Sequence, residues 1–297
     1  FFVISGFVIT SSLAGRESKS FLDFILGFYG RRIKRIVPAL TVFVLVISLL
    51  ITFFNENPYQ DLDVGQKALL GLSNLTLYRG SWDYFSSITE LNPFIHTWSL
   101  GVEEQFYVFF PFLVWFTGFG RQSHQGSRNL FLLILSLVFI FLISFIYFYP
   151  LNQPASYFLM PNRFWEISTG CLIFLCLGIK SKIMEGVKKS SPLLFLSMIF
   201  GVMFIPLKFA VFSTVSIVLL SSLLIISLRK GTLAFVLLTR SKVVNLGLIS
   251  YSLYLWHWGV LSISRWTIGI HWWSIPFQIA IIFFIANTSY KYIEMPL

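Results

Sequence analysis

The sequence predicts an all-α fold, a polytopic transmembrane helix bundle of about nine spans. Three observations lead there. The 297 residues are 56% hydrophobic, 19% aromatic and only 11% charged, a balance unusual for a water-soluble domain of this length. The apolar residues fall in continuous runs of about 15 to 22, the length a helix needs to cross a bilayer, and polar connectors separate the runs. The runs lack the dyad alternation of a membrane β-barrel. Backbone groups in lipid must be satisfied within each segment, so helices follow.

In chain order, residues 1–14 read as the end of a membrane helix, with Ser5 and Gly6 small enough to let a neighbouring helix approach. Residues 21–36 mix apolar and basic side chains and suit an interfacial amphipathic helix. Residues 38–54 form a span. The connector 55–95 is the longest polar one and carries Glu56, Asp61, Asp63, Asp83 and Glu90. Its apolar stretch 68–78 is too short for a span and reads as re-entrant or interfacial. Spans follow at 97–119, 130–149, 164–179, 192–206, 210–228, 243–264 and 273–290. The connector 150–162 contains three prolines, and the connector 229–242 has an apolar middle at 233–238. Cys171 and Cys176 lie five apart in an apolar segment, as buried small residues do. No Cys/His spacing suggests a metal site. The chain starts at Phe1 inside an apolar run, without Met, and ends at Leu297. It reads as a fragment cut at both ends.

The net charge of +10 is explained by topology. Seventeen of the 22 Lys and Arg residues fall in one alternating set of connectors, and five in the other. The positive-inside rule puts the first set in the cytoplasm, so no nucleic-acid partner is expected. The acidic connector 55–95 is then external. The stretch 96–107 (HTWSLGVEEQFY) sits at the external mouth of its helix.

That stretch concentrates the polar chemistry. Helical spacing brings His96, Glu103 and Tyr107 toward one face. A His beside a carboxylate can serve as an oriented general base. The carboxylates can equally pair with an Arg of another helix or favour the helix N-terminus, and Glu104 is assigned mainly to that structural role. In residues 31–38 (RRIKRIVP), Arg32 and Arg35 lie three apart and can reach one anion together, or simply flank a span and meet lipid headgroups. Arg163 and Glu166, also three apart, suit either a local ion pair or a substrate contact. His257 sits between Trp256 and Trp258 as a packed core histidine or a substrate contact. Trp82, Tyr84 and Phe85 can stack on a sugar or anchor the chain at an interface. The absence of Walker, HExxH and GxSxG motifs disfavours ATP-driven transport and zinc hydrolysis.

Taken together, FFVISGFVIT (1–10), RRIKRIVPAL (31–40), NPFIHTWSLGVEEQFYVFFPF (92–112), RFWEISTG (163–170), ISYSLYLWHW (249–258) and YKYIEMP (290–296) resemble the acyltransferase 3 family of integral membrane O-acyltransferases. The words occur in the family's order across essentially the whole chain, and HTWSLGVEEQFY is long and specific. The resemblance implies one membrane domain over residues 1–297, incomplete at its N-terminus, with ten helices in full. It implies a multi-pass protein of the bacterial inner (plasma) membrane. The reaction it implies moves an acyl group, usually acetyl, from acyl-CoA to a hydroxyl of lipopolysaccharide O-antigen, peptidoglycan or exopolysaccharide.

The family's Arg-x-x-Arg motif falls on Arg32 and Arg35, which implies donor binding. Acetyl-CoA is then a substrate, and no permanently bound cofactor or metal is expected. The family's first helix, with the His usually taken as catalytic base, would lie just before Phe1. His96 and Glu103 are therefore secondary catalytic candidates, and Tyr107, Arg163, Glu166 and His257 are candidate substrate contacts. This subfamily often continues into one more helix and an SGNH-type domain, so a fused or separate SGNH domain is an expected partner. One difficulty follows from the topology: the donor cluster is cytoplasmic and residues 96–107 are external. The alternative from another class is a lipid-linked sugar transporter or flippase, which would move its substrate without consuming acyl-CoA.

Overall fold

A computed structural model describes residues 1–16, 18–80, 91–178 and 182–296. Among them every regular element is helical. The α-helices are α1 (Phe2–Ala14), α2 (Phe21–Phe54), α3 (Tyr59–Leu69), α4 (Ser73–Arg79), α5 (Trp98–Phe116), α6 (Gly126–Leu151), α7 (Gln153–Phe158) and α8 (Met160–Cys176). They continue with α9 (Lys182–Lys189), α10 (Pro192–Val202), α11 (Ala210–Ser227), α12 (Leu233–Leu238), α13 (Ser241–Leu248), α14 (Ser250–Thr267) and α15 (Ile275–Ser289). A 3-10 turn, Ile95–Thr97, leads into α5, and a π-helical turn, Tyr290–Glu294, follows α15. Helices α2 and α6 and the stretch Leu207–Ser227 are long and apolar enough to cross a membrane. On α6, Phe139, Ile140, Ile143 and Tyr147 are all more than half exposed. An apolar face of that kind belongs against lipid.

Several boundaries differ from the sequence expectation, each for a local reason. Residues 21–36 and 38–54 are one continuous helix of 34 residues with Pro38 inside it. Proline removes one ladder hydrogen bond, but an apolar surrounding gives the flanking backbone nowhere better to bond. The stretch 68–78 breaks at Gly71, whose φ of +67° ends α3 and lets α4 start anew. The proline-containing connector 150–162 is largely helical, because Pro150 is accommodated in α6 and Pro154 and Pro161 stand in the first turns of α7 and α8. The span 243–264 is interrupted at Ile249, between α13 and α14. Trp82, Tyr84 and Phe85 lie outside the described residues.

The chain forms two compact units. The first comprises Phe1–Phe21, Phe109–Ser156 and Met160–Val244. Its centre is the crossing of α1 with α8. A Cβ at Gly6 would overlap the Ile167 carbonyl, and one at Gly170 would overlap that of Val3. The two glycines therefore let the backbones touch, the small-residue packing that membrane helices favour. Around this crossing Val3, Phe145, Trp165, Ile173 and Val218 form a buried apolar cluster. Hydroxyls inside the helices bond back to their own turn, as Thr10 does to the Gly6 carbonyl at 2.8 Å and Ser222 to that of Val218 at 2.7 Å.

The second unit comprises Leu22–Val108, Tyr157–Leu159 and Asn245–Leu297. Its core is aromatic: Phe43 meets Phe94, His96 and Trp256 edge-on at 5.4–5.7 Å. Two close approaches fix the start of α5. Asn74, fully buried on α4, donates to the Phe158 carbonyl at 3.0 Å. Gln105 donates to Asn74 Oδ1 at 2.7 Å and to the Gly71 carbonyl at 2.9 Å. The two elements come so close that a Cβ at Gly101 would stand 2.8 Å from Asn74 Oδ1.

Candidate active site

The second unit gathers most of the polar residues singled out from the sequence. Residues 96–107 do not begin as an α-helix. His96 lies in the 3-10 turn that leads into α5, whereas Glu103 and Tyr107 lie in α5 itself. The turn is built by its own side chains: Asn92 Oδ1 accepts from the Phe94 amide at 2.8 Å, and Thr97 donates to the Phe94 carbonyl at 2.7 Å. Helix α14 clamps the same turn. Tyr254 donates to the His96 carbonyl at 2.6 Å, and Trp258 donates to the Asn92 carbonyl at 2.9 Å. Ser99 donates to the same His96 carbonyl at 3.3 Å, and its hydroxyl lies 3.1 Å from that of Tyr254.

The His96 ring is buried, edge-on to Tyr254 at 5.0 Å and to His257 at 5.4 Å. Neither ring nitrogen makes a hydrogen bond of ordinary geometry, and the backbone at Leu255 is the polar group that comes near. His257 is half-buried and better oriented. Its Nδ1 lies 2.7 Å from the Tyr254 carbonyl and 3.0 Å from that of Leu253. Both partners only accept, so Nδ1 carries the proton. In the neutral ring, Nε2 then presents a lone pair.

Further along α5, Glu103 and Tyr107 do meet, one turn apart: the Tyr107 hydroxyl donates to Glu103 Oε1. The Arg32 guanidinium lies 4.7 Å from the centre of the Tyr107 ring and 6.0 Å from that of Phe28, a cation over aromatic faces. Arg32, Tyr29, Ile36, Glu104 and Tyr107 line a groove of about 130 Å³. Tyr29 closes one side by donating to the Val108 carbonyl at 2.8 Å. The basic stretch and the end of residues 96–107 therefore come together, although charge counting sets them on opposite faces. The reason is geometric: α2 is one continuous helix, and its Phe28, Tyr29 and Arg32 reach Tyr107 and Val108 of α5. Glu104, which the sequence assigns to a structural role, is on the groove wall.

Arg35 does not line this groove. It is exposed, and its charge acts on Glu294. Burial holds the Glu294 carboxyl above the usual carboxylate range, against the opposing pull of the hydrogen bond donated by Ser252 and of Arg35. This trio was not anticipated, although Glu294 lies in the word YKYIEMP. Tyr251, beside it, donates to the Ile36 carbonyl at 2.9 Å and ties α14 to α2. Arg163 and Glu166 belong to the first unit. There they form a buried ion pair at 2.5 Å, with the guanidinium 5.6 Å from the Phe145 ring centre. Among the described residues no group of three or more His, Cys, Asp or Glu side chains converges.

The family described as acyltransferase domain, acyltransferase 3, matches residues 1–289. O-acetyltransferase OatA of Staphylococcus aureus (strain NCTC 8325 / PS 47) is 28% identical over all of this chain, which covers 51% of that protein. Peptidoglycan O-acetyltransferase OatA of Listeria monocytogenes serovar 1/2a is 25% identical over all of the chain, which covers 50% of it. An uncharacterised protein of Haemophilus influenzae is 35% identical over 62% of this chain and 76% of its own length. The chain spans about half the length of the OatA relatives it matches. No solved structure matches it. With all but its last eight residues matched, the chain belongs to the acyltransferase 3 family.

Proposed function

We propose that this protein is a multi-pass O-acyltransferase of the bacterial plasma membrane. It moves an acetyl group from acetyl-CoA to a hydroxyl of a cell-envelope glycan, with peptidoglycan the favoured acceptor class, as the name of the Listeria relative suggests. The observation that carries the reading is the groove where Arg32 lies over Tyr107, with Glu104 on its wall and Glu103 bonded to the Tyr107 hydroxyl. A guanidinium at a groove is suited to the phosphates of a CoA donor. Glu103 and Tyr107 hold the ring under it.

His96 and His257 lie about 15 Å back along α5 from Tyr107, at a rise of about 1.5 Å per residue. An extended donor arm lying along α5 would carry the thioester toward the imidazoles. In the proposed step the acceptor oxygen attacks the thioester carbonyl, and its proton passes to an imidazole. His257 Nε2 is the better-presented lone pair. The tetrahedral intermediate expels the thiolate, which takes the proton back from the imidazolium. An ester and a free thiol result.

Transfer of labelled acetyl from acetyl-CoA, with free-thiol release, by the full-length protein tests the reading. Arg32→Ala, Arg35→Ala, His96→Ala, Glu103→Ala and His257→Ala are compared with wild type. Normal turnover in all five variants sinks the site. Movement of a lipid-linked sugar with no thiol release would favour the transporter alternative.

A further inference from the structure

We propose that the cavity walled by the end of α2, the start of α3 and the end of α14 is a saccharide subsite. It would take a neutral, hydroxyl-rich sugar rather than an acidic one. The cavity measures about 510 Å³ and is lined by Asn55, Glu56, Asn57, Gln60, Asp61 and Trp266, with apolar edges. Its volume is within the range of small-ligand sites, and it is distinct from the Arg32 groove.

The wall is built by the sequence at the end of α2. Asn55 Oδ1 accepts from the Asn57 amide at 2.9 Å, which turns the chain. Asn55 Nδ2 donates to Asp61 Oδ2 at 2.8 Å, which ties the turn to the first turn of α3. Asp61 is buried at 9% exposure. Its carboxyl is raised to about 6 by burial, although the Asn55 bond lowers it. A carboxylate kept from water on a cavity wall gains from any ligand that supplies O–H donors.

Amides both donate and accept, and carboxylates accept; adjacent hydroxyls of a sugar ring offer both. The half-buried Trp266, from the last turn of α14, supplies an aromatic face for the apolar face of a pyranose. Among the described residues no Lys or Arg lines the cavity, so the carboxylates of Glu56 and Asp61 oppose an anionic glycan. The charge alternation along the chain assigns residues 55–95 to the external side, where the acceptor glycan would be. That last role rests on the proposed acyl transfer; saccharide binding itself does not.

Saturation-transfer NMR on the full-length protein in lipid nanodiscs tests binding. The probes are tri-N-acetylchitotriose, maltotriose and trigalacturonic acid, each added alone. The neutral oligosaccharides are expected to bind, and trigalacturonic acid at least tenfold more weakly. Trp266→Ala and Asp61→Ala are expected to weaken neutral binding by at least tenfold, and Trp266→Phe by less than threefold. The Phe variant separates a lost stacking face from a lost fold, and size-exclusion elution checks each variant. Undiminished binding in correctly eluting Trp266→Ala and Asp61→Ala overturns the proposal. So does equal binding of trigalacturonic acid, or no binding of any probe by wild type. Thiol release from acetyl-CoA supplied with a peptidoglycan fragment as acceptor, measured on the same samples, separates the two readings. If it is abolished while chitotriose still binds, the acyl-transfer reading fails and the subsite stands. If it persists while no saccharide binds, the subsite fails alone.

Discussion

Two arginine motifs look alike in the sequence and behave differently in the fold. In the first unit Arg163 closes on Glu166 at 2.5 Å, and both side chains are buried. In the second unit Arg32 spreads over Tyr107 while the neighbouring carboxylate Glu103 is bonded to the Tyr107 hydroxyl and Glu104 stands on the groove wall. The first arrangement satisfies its charges internally and contributes a fixed structure. The second keeps a cation beside a cavity, where a ligand's charge can meet it. Spacing between charged residues therefore does not distinguish a structural pair from a binding site; access does.

Breaking each arginine separately should separate the two roles. Arg32→Ala should lower thiol release from acetyl-CoA by about a hundredfold, in line with the loss of a charge-assisted contact of about 3 kcal/mol, while the melting temperature barely moves. Arg163→Ala should instead destabilise the fold by about 3–5 kcal/mol, because Glu166 is left buried and unpaired. The double variant Arg163→Met/Glu166→Leu should recover most of that loss, as thermal unfolding in detergent would reveal. If Arg163→Ala unfolds no earlier than wild type, the buried pair is not structural.

A smaller effect sharpens the Arg32 side. Tyr107→Phe removes the hydroxyl that bonds Glu103 but keeps the ring beneath Arg32. Turnover should fall by about tenfold, measurably less than for Arg32→Ala; an equal loss would mean that the hydroxyl, not the cation, is the essential group.

The smallest expected effect is a pH dependence in the second unit. Asp61 is raised to about 6 from the ordinary 3.8 by burial. The folded state thus favours its protonated form. The stability this contributes is fully present below about 3.8 and is lost as the pH rises through about 6. The melting temperature of wild type should drop over that window relative to Asp61→Asn, in which the group does not titrate. Parallel curves for the two proteins would exclude Asp61 as the source.

The legible part of the protein was local. Continuous apolar runs announced the helices, and the words around Arg32 and residues 96–107 announced the family. Boundaries were misread where one residue decides between continuing and stopping. Pro38 passes through α2, whereas Gly71, with its positive φ, ends a helix. Glu103 and Tyr107 were readable as a pair because one helix spaces them. His96 lies in the 3-10 turn that precedes that helix, and its ring meets Tyr254 and His257 of α14, which spacing within residues 96–107 does not specify.

By itself the sequence determined that the chain is helical, where its apolar runs lie, which connectors are basic and which family it joins. Each of these depends on residues that are neighbours in the chain. Only the tertiary structure decided that Arg32 meets Tyr107, that Tyr254 orients both His96 and His257, and that Arg163 is closed on Glu166. The contacts of Arg32 with Tyr107 and of Tyr254 with His96 join residues far apart in sequence. Even the Arg163 pair, only three residues apart, needed the surrounding helices to set its burial. Contacts and burial of this kind follow from which helix faces pack together, and periodicity within a single helix does not specify that choice.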